Sequence, residues 1–174
     1  RIYIMQSTNV RLYTFSLSSI RTYMFAALFI VGNILLPQTL HMLPDGGKIW
    51  LPIYFFTLIG AYKYGINVGL LTALLSPVIN SLLFGMPAVA VLPAIMIKSS
   101  LLAVAASMAA RYTKGVSIVA LIAVVAAYQT IGTLAEWAIT GNILFALQDF
   151  RLGLPGMLAQ IVLGYVTLRY IISK

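Results

Sequence analysis

Lys98 and Glu136 are ionisable residues that lie inside long apolar stretches of the sequence. A charged side chain within hydrocarbon costs about 2.5 to 3.5 kcal/mol on insertion scales, so a residue of this kind marks a functional position by default. If the two met inside a bundle of helices, each would offset the desolvation of the other. The sequence leaves three interpretations open: contact with a ligand, a structural ion pair, or a Lys98 side chain that extends to the membrane surface.

Uncharged polar residues accompany this pair. Gln129, Thr133, Glu136 and Trp137 follow one another at helical spacings of three and four, which predicts one polar face on a helix. Asn80 interrupts another apolar stretch. Asn80 and Gln129 are candidates for ligand binding or for hydrogen bonds between helices. Trp137 is a candidate ligand contact or an anchor at the membrane interface.

Two polar segments between apolar stretches add further candidate ligand contacts. The first contains His41 and Asp45, and the last contains Asp149. A lone histidine in a loop is more often solvated than bound to a ligand. The chain has a single His, no Cys and three acidic residues, and it lacks the motifs of hydrolases, zinc enzymes and ATPases. We therefore expect neither an enzyme nor a bound metal or cofactor.

Composition determines the class of protein. Of 174 residues, 61% are hydrophobic and 8% are charged, and the mean hydropathy is +1.01. A soluble domain carries about 25% charged residues, because its surface must be hydrated. A soluble globular protein and a disordered chain are both excluded. The net charge of +8 comes from scattered bases, which do not form the continuous basic surface of a nucleic-acid-binding protein.

The sequence predicts an all-α integral membrane protein. A membrane span needs about 20 apolar residues, and six stretches qualify as candidates: 22–40, a short one at 50–62, 66–84, 89–112, 116–139 and 154–172. We expect Pro93 to bend the fourth span. Residues 22–174 form one six-helix domain in this interpretation, and residues 1–21 form an interfacial segment before it, either a short helix or a frayed leader.

The charges predict the orientation of the spans. Cytoplasmic loops of membrane proteins are rich in Lys and Arg. A cytoplasmic N-terminus puts most bases inside and all three acids on or near the outer side. Six spans then return the C-terminus to the cytoplasm.

Ser18, Thr22 and Ala26 are small residues spaced four apart at the start of the first span. Such spacing allows two helices to approach closely. The residues are therefore candidates for docking a partner protein or, equally, for packing inside the bundle.

The chain resembles the substrate-binding S components of energy-coupling factor transporters over residues 15–174. The resemblance lies in the length, the six spans, the long first external loop and the small residues of the first helix. It also lies in the stretch WLPIYFFTLIGAYKYGINVGLLTALLSPVINSLLFGMP. It implies a multi-pass protein of a bacterial or archaeal inner membrane that binds a vitamin or related micronutrient. Its partners would be membrane lipid, a transmembrane coupling subunit and two ATPase subunits.

A non-transporting membrane scaffold, similar to the cell-shape protein MreD, is the principal alternative. A scaffold would use its small-residue face to bind partners and would need no ligand site. The grouping of Lys98, Glu136 and Asn80 on the outer half therefore favours the transporter interpretation.

Overall fold

The computed structural model describes residues 10–173, and all regular secondary structure in that range is helical. The α-helices of this range are α1 Ile20–Leu40, α2 Gly46–Trp50, α3 Phe55–Tyr64, α4 Ile66–Phe84, α5 Leu92–Thr113, α6 Ile118–Thr140, α7 Ile143–Leu152 and α8 Leu154–Val166. A 3-10 turn, Pro52–Tyr54, precedes α3, and a π-helical turn, Thr167–Ile171, extends α8.

Five helices of the described range are long and apolar enough to cross a membrane: α1, α4, α5, α6, and α8 with its π-helical turn. Their outward faces carry exposed large apolar side chains such as Leu28, Leu82 and Val119. Continuous apolar faces of this size are unfavourable in water but are compatible with contact to lipid. The prediction of an all-α membrane protein is confirmed at this level.

The second predicted span, 50–62, is a much shorter element than the others. It consists of the 3-10 turn and the ten residues of α3. Seven residues of α3 are buried, because α1, α4, α5 and α8 all pack against it. A helix that is apolar on every side belongs in the interior. The short helix therefore forms the centre of the bundle.

The fourth predicted span begins later than expected. The helix α5 starts at Leu92, so Pro93 occupies its first turn. Proline is tolerated there because the first backbone N–H groups have no partner within the helix. The predicted bend at Pro93 is therefore wrong. Lys98 lies six residues into α5, about 9 Å from its start.

Residues 10–19, the described part of the predicted interfacial segment, contain no helix. The Tyr13 N–H donates a hydrogen bond to the Lys63 carbonyl at 2.8 Å, and the Arg11 N–H donates one to the Ser173 carbonyl at 3.3 Å. This segment packs along the end of α3, so a helix here is wrong. The first part of the predicted interfacial segment, residues 1–9, lies outside the described residues.

The predicted docking ridge is not an exposed face of α1. Ser18 is exposed, but it lies in the turn before the helix. Thr22 and Ala26 are buried within the chain, and the Thr22 hydroxyl donates a hydrogen bond to the Ser16 carbonyl. These two residues pack inside the bundle, so they do not present a surface to a partner.

Two short helices that the sequence did not predict lie at the end of the bundle where α1, α4 and α6 finish. They are α2 and α7, and α2 contacts both α7 and the first part of α8. The Asn142 side chain caps α7 by accepting a hydrogen bond from the Phe145 N–H at 3.1 Å. We call this end of the molecule the cavity end.

Close packing of α3 against α4 depends on Gly69. A Cβ atom at residue 69 would lie 2.4 Å from the Ala61 Cβ atom and 2.8 Å from the Ala61 Cα atom. A Cβ atom at residue 164, in α8, would meet only the end of the Leu58 side chain, at 3.2 Å.

We expect Gly69→Ala to lower the free energy of unfolding by about 1–3 kcal/mol, because the two helices must move apart. Gly164→Ala is the matched control and should change it little, since Leu58 can adjust. Thermal unfolding in detergent, followed by circular dichroism, measures both variants. Equal unfolding temperatures for the two variants would contradict the close α3–α4 contact.

Candidate functional site

A cavity of about 530 Å³ lies at the cavity end of the bundle. The last turns of α1, α4 and α6 and the first turns of α5 surround it, together with α2, the 3-10 turn and α7. Most of its wall is apolar. Exposed residues such as Asp45 and Lys48 line its rim, so the cavity opens at this end. Sites for small molecules commonly have this size and this mixture of apolar wall and few polar groups.

The structure brings seven of the eight predicted ligand-contact residues to this one cavity. They are His41, Asp45, Asn80, Lys98, Gln129, Glu136 and Asp149. Their positions range from the rim to the floor: Asp45 is exposed, His41 and Asp149 are half-buried, and the other four are buried. Residues separated by more than a hundred positions in the sequence therefore share one chamber.

Lys98 of α5 and Glu136 of α6 form a buried ion pair, which joins Lys98 Nζ to Glu136 Oε2. The residues are 7% and 3% exposed. Two charges that leave water together offset part of each other's desolvation, whereas either one alone would be strongly unfavourable. Of the interpretations that the sequence left open, the ion pair is present, and Lys98 does not extend to the surface.

Gly132 makes the approach of Lys98 to α6 possible. A Cβ atom at residue 132 would lie 2.5 Å from the Lys98 Cγ atom. The apolar stem of the lysine thus passes over the glycine before its ammonium group reaches Glu136, one turn further along α6.

Asn80 belongs to a network of amides and hydroxyls on the other side of the cavity. Its Nδ2 group donates to the carbonyls of Asn33 and Ser76, at 3.0 Å each. The Asn33 Nδ2 group in turn donates to the hydroxyls of Thr57 at 3.2 Å and Ser76 at 3.1 Å. These bonds between α1, α3 and α4 confirm the interhelical role for Asn80. Asn80 also lines the cavity, and its Oδ1 atom is buried without a hydrogen-bond partner, so one acceptor of this residue is unsatisfied.

Gln129 joins a second polar chain below the cavity. Its Nε2 group donates to the Tyr128 hydroxyl at 3.0 Å, and that hydroxyl donates to Gln160 Oε1 at 2.6 Å. The Tyr128 ring contacts the ring of Tyr54, with centroids 5.6 Å apart. This chain connects α6, α8 and the 3-10 turn.

Trp137 does not lie among the residues that line the cavity. It is 43% exposed on the outer surface of α6. Consecutive residues of a helix are rotated by about 100°, so the residue after the buried Glu136 turns away from the cavity. The structure thus does not place Trp137 with the other seven candidates, and its outward position fits the alternative interpretation, an anchor at the membrane interface.

Sequence reasoning missed Tyr54, Lys48 and Phe145, which also line the cavity. Tyr54 is 4% exposed and is the last residue of the 3-10 turn that Pro52 begins. An aromatic residue with a polar tip two positions after a proline, inside an apolar stretch, was the available signal. Phe145 carried no signal, because its helix α7 was not predicted.

Within residues 10–173, no group of three His, Cys, Asp or Glu side chains comes together as a metal site. The cavity instead offers acceptor oxygens, an ion pair and apolar surface. Comparisons of the chain with protein-family models, curated proteins and solved structures give no match.

We expect Lys98→Met to lower the free energy of unfolding by about 3–5 kcal/mol, because it leaves the Glu136 carboxylate buried without its partner. The double variant Lys98→Met/Glu136→Leu should recover most of that loss, since it removes both charges and keeps the volume. Thermal unfolding in detergent compares the two. A double variant as unstable as the single one would contradict the importance of the pairing.

Proposed function

We propose that the chain is the membrane-embedded substrate-binding subunit of a transporter of the energy-coupling factor type. It captures a vitamin or a similar micronutrient in the cavity from outside the cell. A coupling module of one transmembrane subunit and two ATPases then drives delivery. The observation that carries this proposal is the cavity itself, in which polar groups from α4, α5, α6 and α7 converge.

The convergence supports binding because polar groups are scarce in this chain. Only 8% of its residues are charged, and the buried polar residues Asn80, Lys98, Gln129 and Glu136, which come from three different helices, all line one cavity. A chain that only crossed the membrane would gain stability by replacing Lys98, Glu136 and Asn80 with apolar residues. A binding site explains why they are present.

The distribution of charge supports the proposed orientation. Six described bases lie at the end of the bundle opposite the cavity, which we call the basic end: Arg11, Arg21, Lys63, Arg111, Lys114 and Arg169. All three acids of the chain line the cavity. The positive-inside rule then puts the basic end in the cytoplasm and the cavity on the outer side.

The proposal includes six crossings of the membrane, which the same arrangement supports. The Arg11–Ser173 hydrogen bond holds both ends of the described chain together at the basic end. An even number of crossings is therefore needed, and α3 with its 3-10 turn supplies the sixth. It connects Tyr54 at the cavity with Lys63 at the basic end. Its neighbours α1, α4, α5 and α8 shield it from lipid.

A scaffold similar to the cell-shape proteins is the alternative. A scaffold requires a surface for partners but no chamber. No observation in the described residues favours it over the transporter subunit, and the small residues Thr22 and Ala26, which would have formed its docking face, are buried.

We expect native mass spectrometry of the purified wild-type protein to detect a retained small molecule. Ala94→Trp should abolish retention, because Ala94 is a buried part of the cavity wall and the indole would fill the chamber. Val104→Trp is the matched control on α5: residue 104 is 41% exposed on the outer face, so retention should persist.

Ala88→Trp, at an exposed position of the cavity wall, provides a second variant that does not disturb the helix. Thermal unfolding shows whether each variant is folded. Retention by both folded cavity variants at the wild-type level would count against a binding site in this chamber.

The orientation has a direct test, since the chain contains no cysteine. Met42→Cys, at 84% exposed, lies at the cavity end, and Tyr112→Cys, at 90% exposed, lies at the basic end. We expect a membrane-impermeant maleimide added to intact cells to label residue 42 alone, and residue 112 only after permeabilisation. The reverse pattern would refute the proposed orientation.

A further inference from the structure

The polar groups of the cavity carry more negative than positive charge. Three carboxylates line it, those of Asp45, Glu136 and Asp149, together with two ammonium groups, those of Lys48 and Lys98. Lys98 is already paired with Glu136. Asp45 and Lys48 are both exposed at the rim, where water screens their charges, so neither counts toward the interior. The interior of the chamber thus has one carboxylate more than it has ammonium groups.

The surplus carboxylate belongs to Asp149. It comes from α7 and lines the same cavity as Glu136, so two carboxylates share the chamber with a single buried ammonium group to balance them. Like charges in a partly desolvated site repel each other, unless a cation or a proton lies between them. Lys98 occupies Oε2 of Glu136. The Oε1 atom of Glu136 and the Asp149 carboxylate remain for a second cationic donor.

Asn80 gives an independent indication of the same ligand chemistry. The residue is 1% exposed, and both of its hydrogen bonds use the Nδ2 group. Its Oδ1 atom is a buried acceptor without a partner in a cavity-lining side chain. A buried acceptor of this kind costs free energy unless a donor reaches it. A ligand that carries N–H groups would satisfy both Asn80 and the carboxylates.

We infer that the cavity is built for an organic cation: a small molecule with a protonated amine, or a similar N–H-bearing cation, on an apolar body. The cationic group lies between Asp149 and Glu136, and a further donor reaches Asn80 Oδ1. The apolar body packs against the cavity wall, in which the rings of Tyr54 and Phe145 provide surfaces that attract cations. This inference rests on the proposed binding function and specifies its substrate class.

Three indole compounds of nearly equal size test the charge preference. Tryptamine is a cation at neutral pH, tryptophol is its neutral alcohol analogue, and indole-3-acetate is an anion. The full-length protein is placed in phosphatidylcholine nanodiscs at 0.15 M salt, so that surface charges are screened, and binding is measured by calorimetry. We expect tryptamine to bind at least about tenfold more tightly than tryptophol, because charge-assisted hydrogen bonds are the stronger ones. Indole-3-acetate should not bind.

Asp149→Asn keeps the shape of the side chain and removes the surplus charge without breaking the buried ion pair. It should weaken tryptamine binding about tenfold and leave tryptophol binding unchanged. Gln148→Glu is the control, since residue 148 is exposed and lies outside the cavity wall. It adds a carboxylate nearby and should leave the affinity for tryptamine unchanged.

The outcomes separate the substrate class from the binding function. If tryptophol or indole-3-acetate binds as tightly as tryptamine, or if Asp149→Asn leaves the preference unchanged, the cation inference is overturned and the binding function stands. If Gln148→Glu strengthens tryptamine binding as much as Asp149→Asn weakens it, negative charge anywhere on the surface attracts the cation and no specific site is needed. That outcome also overturns the inference. If none of the three compounds binds, the cation inference is overturned, and the binding function is decided by the retained-molecule experiment with the Ala94→Trp and Ala88→Trp variants.

Discussion

The ion pair between Lys98 and Glu136 determines how α5 and α6 face each other at the cavity end. Neither charge is stable alone at this depth, so each helix must present its residue to the other. Gly132 allows the lysine stem to cross α6 at contact distance. Lys98, Gly132 and Glu136 together fix the register of the two helices. The same face of α6 also carries Gln129 to the cavity. The opposite wall is held by the amide network of Asn33 and Asn80, which leaves the space between the walls open.

Much of this site could be predicted from the sequence, because polar residues are rare in apolar stretches and their burial is costly. Lys98, Glu136, Asn80 and Gln129 each interrupt a span, and all four line the cavity. The prediction needs no knowledge of the packing. A buried polar group must find another polar group, and a chain with so few of them leaves little choice of partner.

Features that depend on tertiary packing could not be predicted in this way. Polar and aromatic residues spaced three and four apart cover a broad arc of a helix. The pattern therefore could not show that Glu136 faces the cavity whereas Trp137 faces outward. The small residues Thr22 and Ala26 permit a close approach, but their spacing does not say whether the approaching helix belongs to the same chain. The N–H groups of Tyr13 and Phe15 find their hydrogen-bond partners at the end of α3, more than forty residues away, which no local pattern reveals.

The cavity exists because the central helix α3 is short. A regular helix of about 20 residues through this position would fill the cavity end of the bundle with its own side chains. Instead, the chain between α1 and α3 is irregular: Asp45 and Leu51 adopt left-handed backbone conformations, and Pro52 begins the 3-10 turn. The central helix therefore starts only at Phe55, below the chamber. The residues that would have continued it become the wall and rim, from His41 to Tyr54. The same local sequence that shortens α3 thus creates the cavity and supplies part of its wall.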